Sequence, residues 1–215
     1  MSGKVRLQVA LDIGTTAALV QIGRQVVDFV DWLEAGTPWI LSEGMGAVRA
    51  LRSVFPEKCI VADMKIMDGG YYEAIQGFKA GANIVTVLGA ASNNTISGVT
   101  QAAREYNGQV MVDLIQVTDL VRRAIELTEM GVDYICVHTA HDDQQLGKSP
   151  VAGLAMLSAQ KTAPLVVAGG IGLHNLPLAI THAPAAVVIG SAITQAKEPE
   201  FAAKQMRAAL DKVLM

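Results

Sequence analysis

The feature that most constrains the fold of this chain is a short apolar run, closed by a polar residue or glycine, that recurs eight times along its length. Taking one closing residue per run gives Asp12, Glu34, Asp63, Thr86, Asp113, His138, Gly169 and Gly190, at steps of 22, 29, 23, 27, 25, 31 and 21 residues. Each step accommodates a strand, a returning helix and two short connections. The predicted strands are Leu7–Ile13, Trp32–Ala35, Cys59–Met64, Ile84–Val87, Val110–Leu114, Tyr134–His138, Leu165–Ala168 and Ala186–Ile189. Between them the periodicity turns helical. In Val117–Met130, for example, Val117, Leu120, Val121, Ala124, Ile125 and Leu127 form one apolar stripe and Gly131 stops the helix. Strand and helix in alternation force parallel strands with right-handed crossovers. Eight near-equal units favour closure into a (β/α)₈ barrel, expected as a single domain over residues 1–215. The competing open, doubly wound sheet lacks its signature, because no GxGxxG or GxxxxGK[ST] follows the first strand and chemically capable residues end nearly every strand.

Strands buried on both faces need apolar residues of modest size, and the composition supplies them: 51% of residues are hydrophobic but only 5% aromatic. Lys plus Arg number 17 against 20 Asp plus Glu, a net charge of −3 that invites no polyanion, so nucleic acid is not an expected partner. Every apolar stretch is interrupted by Gly, Asp, Lys or Pro before the roughly 18 to 20 residues that a membrane span requires. Asp12 likewise breaks the run that an export signal would need, so the expected compartment is the cytoplasm. Cys59 and Cys136 fall in separate predicted strands and read as small buried apolar residues, in keeping with a reducing environment.

A parallel barrel delivers all its strand C-termini to one face, which brings Asp12, Glu34, Asp63, Lys65, Asp68, Asp113 and His138 to a single mouth. Any one acidic residue after a strand is most simply a helix cap; five of them at one rim, with Lys65 and His138, resist that explanation. The densest run is Val61-Ala62-Asp63-Met64-Lys65-Ile66-Met67-Asp68-Gly69-Gly70. There Asp63 and Lys65 are expected on one side of a strand end with Asp68 in the following loop, two carboxylates around one ammonium. Such an array keeps Lys65 protonated beside an anionic intermediate, and one of its carboxylates can join Glu34 in holding a hard cation. A surface salt-bridge cluster is the plainer alternative. Gly169-Gly170 and Gly190-Ser191 follow the seventh and eighth strands, where barrels often place a phosphate against backbone N–H groups; simple turns are the other reading. His138 is a candidate general base or acid, and His141 a contact for substrate or partner. No Cys/His spacing fits a zinc site.

The runs Ala10-Leu11-Asp12, Glu34-Ala35-Gly36-Thr37-Pro38, Glu43-Gly44, Ala62 through Gly70, Phe78-Lys79-Ala80-Gly81-Ala82, Val85-Thr86-Val87-Leu88-Gly89, Val112-Asp113-Leu114-Ile115, Val137-His138-Thr139, Ala168-Gly169-Gly170-Ile171 and Ile189-Gly190-Ser191-Ala192-Ile193 together carry a resemblance. In this order they are similar to the 3-hexulose-6-phosphate synthases. They resemble less closely the 3-keto-L-gulonate-6-phosphate decarboxylases, also of the orotidine 5′-phosphate decarboxylase superfamily. The resemblance implies a homodimer with shared active sites, with Mg²⁺ (Mn²⁺ as the substitute) on Glu34 and Asp63, and Asp12 and Lys65 at the substrate. Asp68 would be lent to the partner's site, Asp113 would stand among the substrate-binding groups, and the phosphate would lie on Gly169, Gly170, Gly190 and Ser191. The implied reaction joins formaldehyde to D-ribulose 5-phosphate through a cis-enediolate, with His138 carrying the C1 proton. After the sixth strand the decarboxylases resemble His-Arg-Ser-Arg-Asp where this chain has His138-Thr139-Ala140-His141-Asp142, and the missing arginines favour the synthase. A catalytically silent barrel that only binds a phosphorylated ligand is a reading of another class. Against it stands the charged array, since clustered like charges burden a fold that makes no use of them.

Overall fold

In the computed structural model, which describes residues 4–212, the inward and outward faces of the strands carry different chemistry, and that difference builds the site. The strands are β1 (Arg6–Leu11), β2 (Trp32–Ala35), β3 (Cys59–Ile66), β4 (Ile84–Leu88), β5 (Gln109–Asp113), β6 (Tyr134–His138), β7 (Leu165–Ala168) and β8 (Ala186–Ile189). All pair in parallel with their sequence neighbours, and β8 closes on β1 with Leu7 opposite Val187 and Val9 opposite Ile189. Because side chains alternate along a strand, Leu7, Val9 and Leu11 of β1, Val85 and Val87 of β4 and Val110 and Val112 of β5 point outward into the large core shared with the helices. The other set fills the barrel itself: Ala10, Trp32, Val61, Ile84, Met111, Tyr134, Cys136, Val166 and Val188 form a separate interior cluster. The expected (β/α)₈ barrel is thus the observed fold, and the first and last three residues of the expected 1–215 domain lie outside the described residues.

Helices follow every strand, and three strands are followed by two helices each: Thr37–Glu43 and Gly46–Val54 after β2, His141–Gln144 and Val151–Ser158 after β6, and Ser191–Thr194 and Pro199–Lys212 after β8. Arg207 of the last helix reaches Asp31 at 2.9 Å and the Val5 carbonyl at 3.1 Å, tying the end of the chain to the start of β1 and β2. Among the described residues no helix is long and apolar enough to cross a membrane.

Three boundaries depart from the sequence expectation by two residues or more. β1 ends at Leu11 rather than Ile13: the chain leaves the sheet at Asp12, Ile13 is 79% exposed, and Thr15 caps the helix Thr16–Val26 by accepting from the Ala18 N–H. The helix expected over Val117–Met130 is Leu120–Glu129, because Asp119 accepts from the Arg122 N–H and so sets the start three residues later. β3 runs on to Ile66, past a register shift against β4 between Ala62 and Ile66.

Candidate active site

The C-terminal layer of the barrel interior is polar where the layers below are apolar but for Gln8. Glu34, Asp63, Thr86 and Asp113 occupy inward positions of β2 to β5 and are all buried, with His138 beside them at the end of β6. Asp12 leans over them from the end of β1. A methyl group on Gly36 would stand 2.1 Å from its Oδ1, so only glycine leaves room for that carboxylate.

The irregularity in β3 organises the centre. Between the pairs Ala62–Val85 and Ile66–Val87 two extra residues are inserted in β3, and Lys65 takes a left-handed conformation with φ of 46°. Such backbone is unfavourable for a residue with a side chain and persists only where its surroundings hold it. Thr86 supplies part of that hold: its Oγ1 accepts the Lys65 N–H at 2.9 Å and donates to Asp63 Oδ1 at 2.8 Å. From this turn the Lys65 ammonium lies 2.5 Å from Asp63 Oδ2 and 3.3 Å from Asp113 Oδ2. Asp113 Oδ2 also meets His138 Nδ1 at 2.7 Å, while its Oδ1 accepts the Ile115 N–H at 2.9 Å. The Thr37 hydroxyl sits 2.9 Å from Asp63 Oδ2 and 2.7 Å from the Asp63 carbonyl. Gln8, one layer deeper, donates through Nε2 to Glu34 Oε2.

Charge follows from this geometry. Burial alone pulls the Lys65 ammonium toward neutrality, but the charges of Asp63, Asp113 and Glu34 outweigh it and raise its pKa well above the ordinary lysine value. Lys65 is therefore a fixed cation and not a base. Burial works to raise the Asp113 carboxyl, yet hydrogen bonding and charge from His138 and the charge of Lys65 bring it below the usual value. Burial, then the negative charge of Asp63, raises Asp12, and burial with Asp63 and Asp12 raises Glu34 further still. On the Asp12 and Glu34 side the mouth holds a surplus of carboxyl groups over cations, and their ionisation is disfavoured unless a cation compensates it.

A divalent ion fits that surplus. Among the described residues no group of three or more His, Cys, Asp or Glu side chains is placed to share a metal, so an ion held here would rest on one or two of these side chains. Mg²⁺ is commonly bound in that way, through one or two carboxylates with water and substrate oxygens completing its shell. Glu34 and Asp63 are hard oxygen donors, and Glu34 Oε1 has no hydrogen-bond donor among the described residues.

The second carboxylate at Lys65 is Asp113, not Asp68 as expected. Asp68 is exposed beyond the end of β3, and its hydrogen bond is to the N–H of the next residue, Gly69, at 2.8 Å. At the other side of the mouth Gly169 and Gly170 have φ of 93° and 70°, and a methyl group on Gly169 would stand 2.2 Å from the Thr139 carbonyl. Neither N–H has an acceptor among the described residues, so both are available to an anion. Gly190 and Ser191 open the short helix Ser191–Thr194, and a methyl group on Gly190 would lie 3.4 Å from Asp12 Oδ2. His141 is exposed at the start of the helix His141–Gln144. Cys59 is half-buried and Cys136 buried; both are free thiols, and burial pushes Cys59 up to about 11 despite Arg52 and Arg6 nearby. The supporting roles of three participants, Gln8, Thr37 and Thr86, are not read from the sequence. Gln8 and Thr86 do leave a trace, each being polar at an inward position between apolar neighbours.

Comparison with known proteins places this geometry among relatives. The family described as orotidine 5′-phosphate decarboxylase / HUMPS matches residues 5–206. The 3-hexulose-6-phosphate synthase of Bacillus subtilis (strain 168) is 39% identical over 204 residues, covering 94% of this chain and 97% of that protein. The crystal structure of 3-hexulose-6-phosphate synthase from Salmonella typhimurium superposes with a TM-score of 0.94 at 39% identity, covering 97% of this chain and 99% of the other. That of 3-keto-L-gulonate-6-phosphate decarboxylase from Vibrio cholerae gives a TM-score of 0.87 at 29% identity, covering 98% and 99%.

Proposed function

Because the chain belongs to the orotidine 5′-phosphate decarboxylase / HUMPS family, we propose that it is a lyase of the aldolase kind that condenses formaldehyde with D-ribulose 5-phosphate to give 3-hexulose 6-phosphate. The observation that carries this reading is the continuous chain Asp63–Lys65–Asp113–His138, with contacts of 2.5, 3.3 and 2.7 Å, at the mouth of the barrel. It joins a permanent cation to an oriented imidazole, which is what removal of a proton beside a carbonyl requires.

His138 takes the proton from C1 of the ketose. Asp113 holds Nδ1, so Nε2 is the nitrogen that faces the substrate, and the carboxylate steadies the imidazolium that forms. Lys65, held protonated, stands where negative charge gathers on the resulting enediolate and stabilises it without donating its own charge away. Asp12 lies against the substrate from the end of β1. Mg²⁺ or Mn²⁺, when bound by Glu34 and Asp63, supplies further positive charge to neighbouring sugar oxygens. The electron pair released at C1 forms the new bond to the formaldehyde carbon; the formaldehyde oxygen becomes an alkoxide and takes a proton, for which protonated His138 is the donor. The phosphate is held by the N–H groups of Gly169, Gly170, Gly190 and Ser191, so unphosphorylated ribulose should be a very poor substrate.

We read the assembly as a homodimer with shared sites and the compartment as cytoplasmic. Exposed Met67 and Tyr72 flank Asp68 just beyond β3, and Ile13 and Leu41 are exposed in the segments after β1 and β2, which supports an apolar contact at that rim. Decarboxylation of 3-keto-L-gulonate 6-phosphate is the rival, since loss of CO₂ reaches a similar enediolate. The arginine-free segment after His138 and the higher identity to the synthases favour condensation. The test is exchange of the C1 proton of ribulose 5-phosphate in deuterated water without formaldehyde, followed by proton NMR. We expect one C1 position to exchange, only with Mg²⁺ or Mn²⁺ present; no exchange by an enzyme that nonetheless turns over would refute the mechanism.

A further inference from the structure

We propose that Gln8 is a positioning residue, one that fixes the Glu34 carboxylate for a divalent cation. The inference rests on the reading of Glu34 as a cation ligand and assigns the residue that aims it.

The carboxylates at the mouth are held unequally. Asp63 meets Thr86, Thr37 and Lys65, and Asp113 meets the Ile115 N–H, His138 and Lys65. Glu34 has one donor among the described residues, Gln8, through Nε2 to Oε2. Gln8 is 1% exposed on β1, level with Trp32 of β2, whereas Glu34 is level with Ala10. The amide therefore grips the carboxylate from one layer beneath. With Oε2 drawn down, Oε1 is turned toward the mouth.

Packing does not explain this glutamine. Its Oε1 is buried without a partner, and a buried carbonyl with no donor burdens the fold. Methionine or leucine would fill the same inward position, level with Trp32 and Val188 on the flanking strands, with no such burden. The unmet carbonyl follows from the grip: turning the amide over would set Oε1 against a carboxylate oxygen, so Nε2 must face Glu34 and Oε1 must face the apolar barrel. An unfavourable polar group kept for one contact is what a support for a metal ligand looks like, because a long carboxylate side chain must otherwise be ordered by the ion itself.

The test is Gln8→Met, close in volume and without the amide. Mn²⁺ binding to metal-stripped protein, read from the EPR signal of the free ion, should weaken roughly 10-fold or more, the usual consequence of removing a partner behind a metal ligand. The melting temperature should be unchanged or higher, since an unpaired carbonyl has gone. Gln8→Asn, which keeps the amide but shortens its reach, should also weaken Mn²⁺ binding, and Gln8→Met added to Glu34→Gln should weaken it no further. If wild type binds Mn²⁺ and the Met and Asn variants bind it equally well, the role of Gln8 is overturned while the cation site stands. A lower melting temperature with unchanged affinity overturns it in the same way, as a purely structural role. If wild type itself takes up no Mn²⁺, the cation reading fails and Gln8's role with it.

Discussion

Asp113→Asn is the substitution whose outcome the hydrogen bonding of the site dictates most closely. The carboxylate is an acceptor on both sides: Oδ1 takes the Ile115 N–H at 2.9 Å, and Oδ2 faces His138 Nδ1 at 2.7 Å and the Lys65 ammonium at 3.3 Å. An amide of the same shape has one acceptor and one donor. If its oxygen stays with Ile115, the NH₂ confronts the ammonium and obliges His138 to accept at Nδ1, which moves the imidazole proton to Nε2 and removes the base. If it turns over, the NH₂ meets the Ile115 N–H and a neutral amide replaces the charge that steadied the imidazolium. Either orientation sets donor against donor in a buried place, at about 1–3 kcal/mol of fold stability. Either also disables proton transfer, for which losses run to roughly 10²- to 10⁴-fold, equivalent to about 3–5 kcal/mol in the barrier. The assay is C1 proton exchange of ribulose 5-phosphate in deuterated water, alongside Mn²⁺ affinity as a control that should hardly move, since Glu34 and Asp63 are untouched. Exchange at the wild-type rate in a folded Asp113→Asn protein would refute the assignment of His138 and Asp113 as a working pair.

Thr86→Val keeps the shape of the side chain but strands the Lys65 N–H and Asp63 Oδ1, and at about 1–3 kcal/mol for a stranded buried group it should lower the melting temperature by several degrees and slow turnover. The lowered pKa of Asp113 contributes stability above its unfolded value of about 3.9 that is lost as pH falls through the lower folded value. Urea titrations from pH 5 downward should therefore show a steeper acid decline in wild type than in Asp113→Asn. If Asp68 serves the neighbouring site, an inactive Asp68→Asn chain mixed with an inactive Lys65→Ala chain should recover activity in verified mixed dimers; none recovered would count against shared sites. Exhaustive chelation should abolish activity and Mg²⁺ or Mn²⁺ restore it, whereas full activity in metal-free protein would overturn the assignment of Glu34 and Asp63.

The barrel was legible because its strands are buried on both faces, so each appears as a mostly apolar run with a polar or glycine stop, Gln8 being the one interruption inside β1. Boundaries were less so where local chemistry overrides the pattern. Ile13 continues the apolar run through Asp12 although the chain has already left the sheet, and Val117 fits the stripe of a helix that Asp119 caps later. That Asp12, Glu34, Asp63, Lys65, Asp113 and His138 share the mouth followed from the parallel topology, whereas Asp68, expected with them, is exposed beyond β3. Which of them touch did not: nearness in sequence pairs Lys65 with Asp68, but the inserted residues in β3 and the left-handed backbone at Lys65 carry its ammonium to Asp113 on the next strand but one. The supporting roles of Gln8, Thr37 and Thr86 lay hidden because their types are common at turns and strand ends, and only their partners mark them as supports.

The central claim is the choice of reaction at this site, and one paired measurement addresses it most directly. Purified, Mg²⁺-loaded protein is given ribulose 5-phosphate with formaldehyde in one vessel and 3-keto-L-gulonate 6-phosphate in another, with loss of formaldehyde and release of CO₂ followed side by side. The account predicts rapid, ribulose 5-phosphate-dependent consumption of formaldehyde and much slower release of CO₂. Efficient decarboxylation with no consumption of formaldehyde would contradict it.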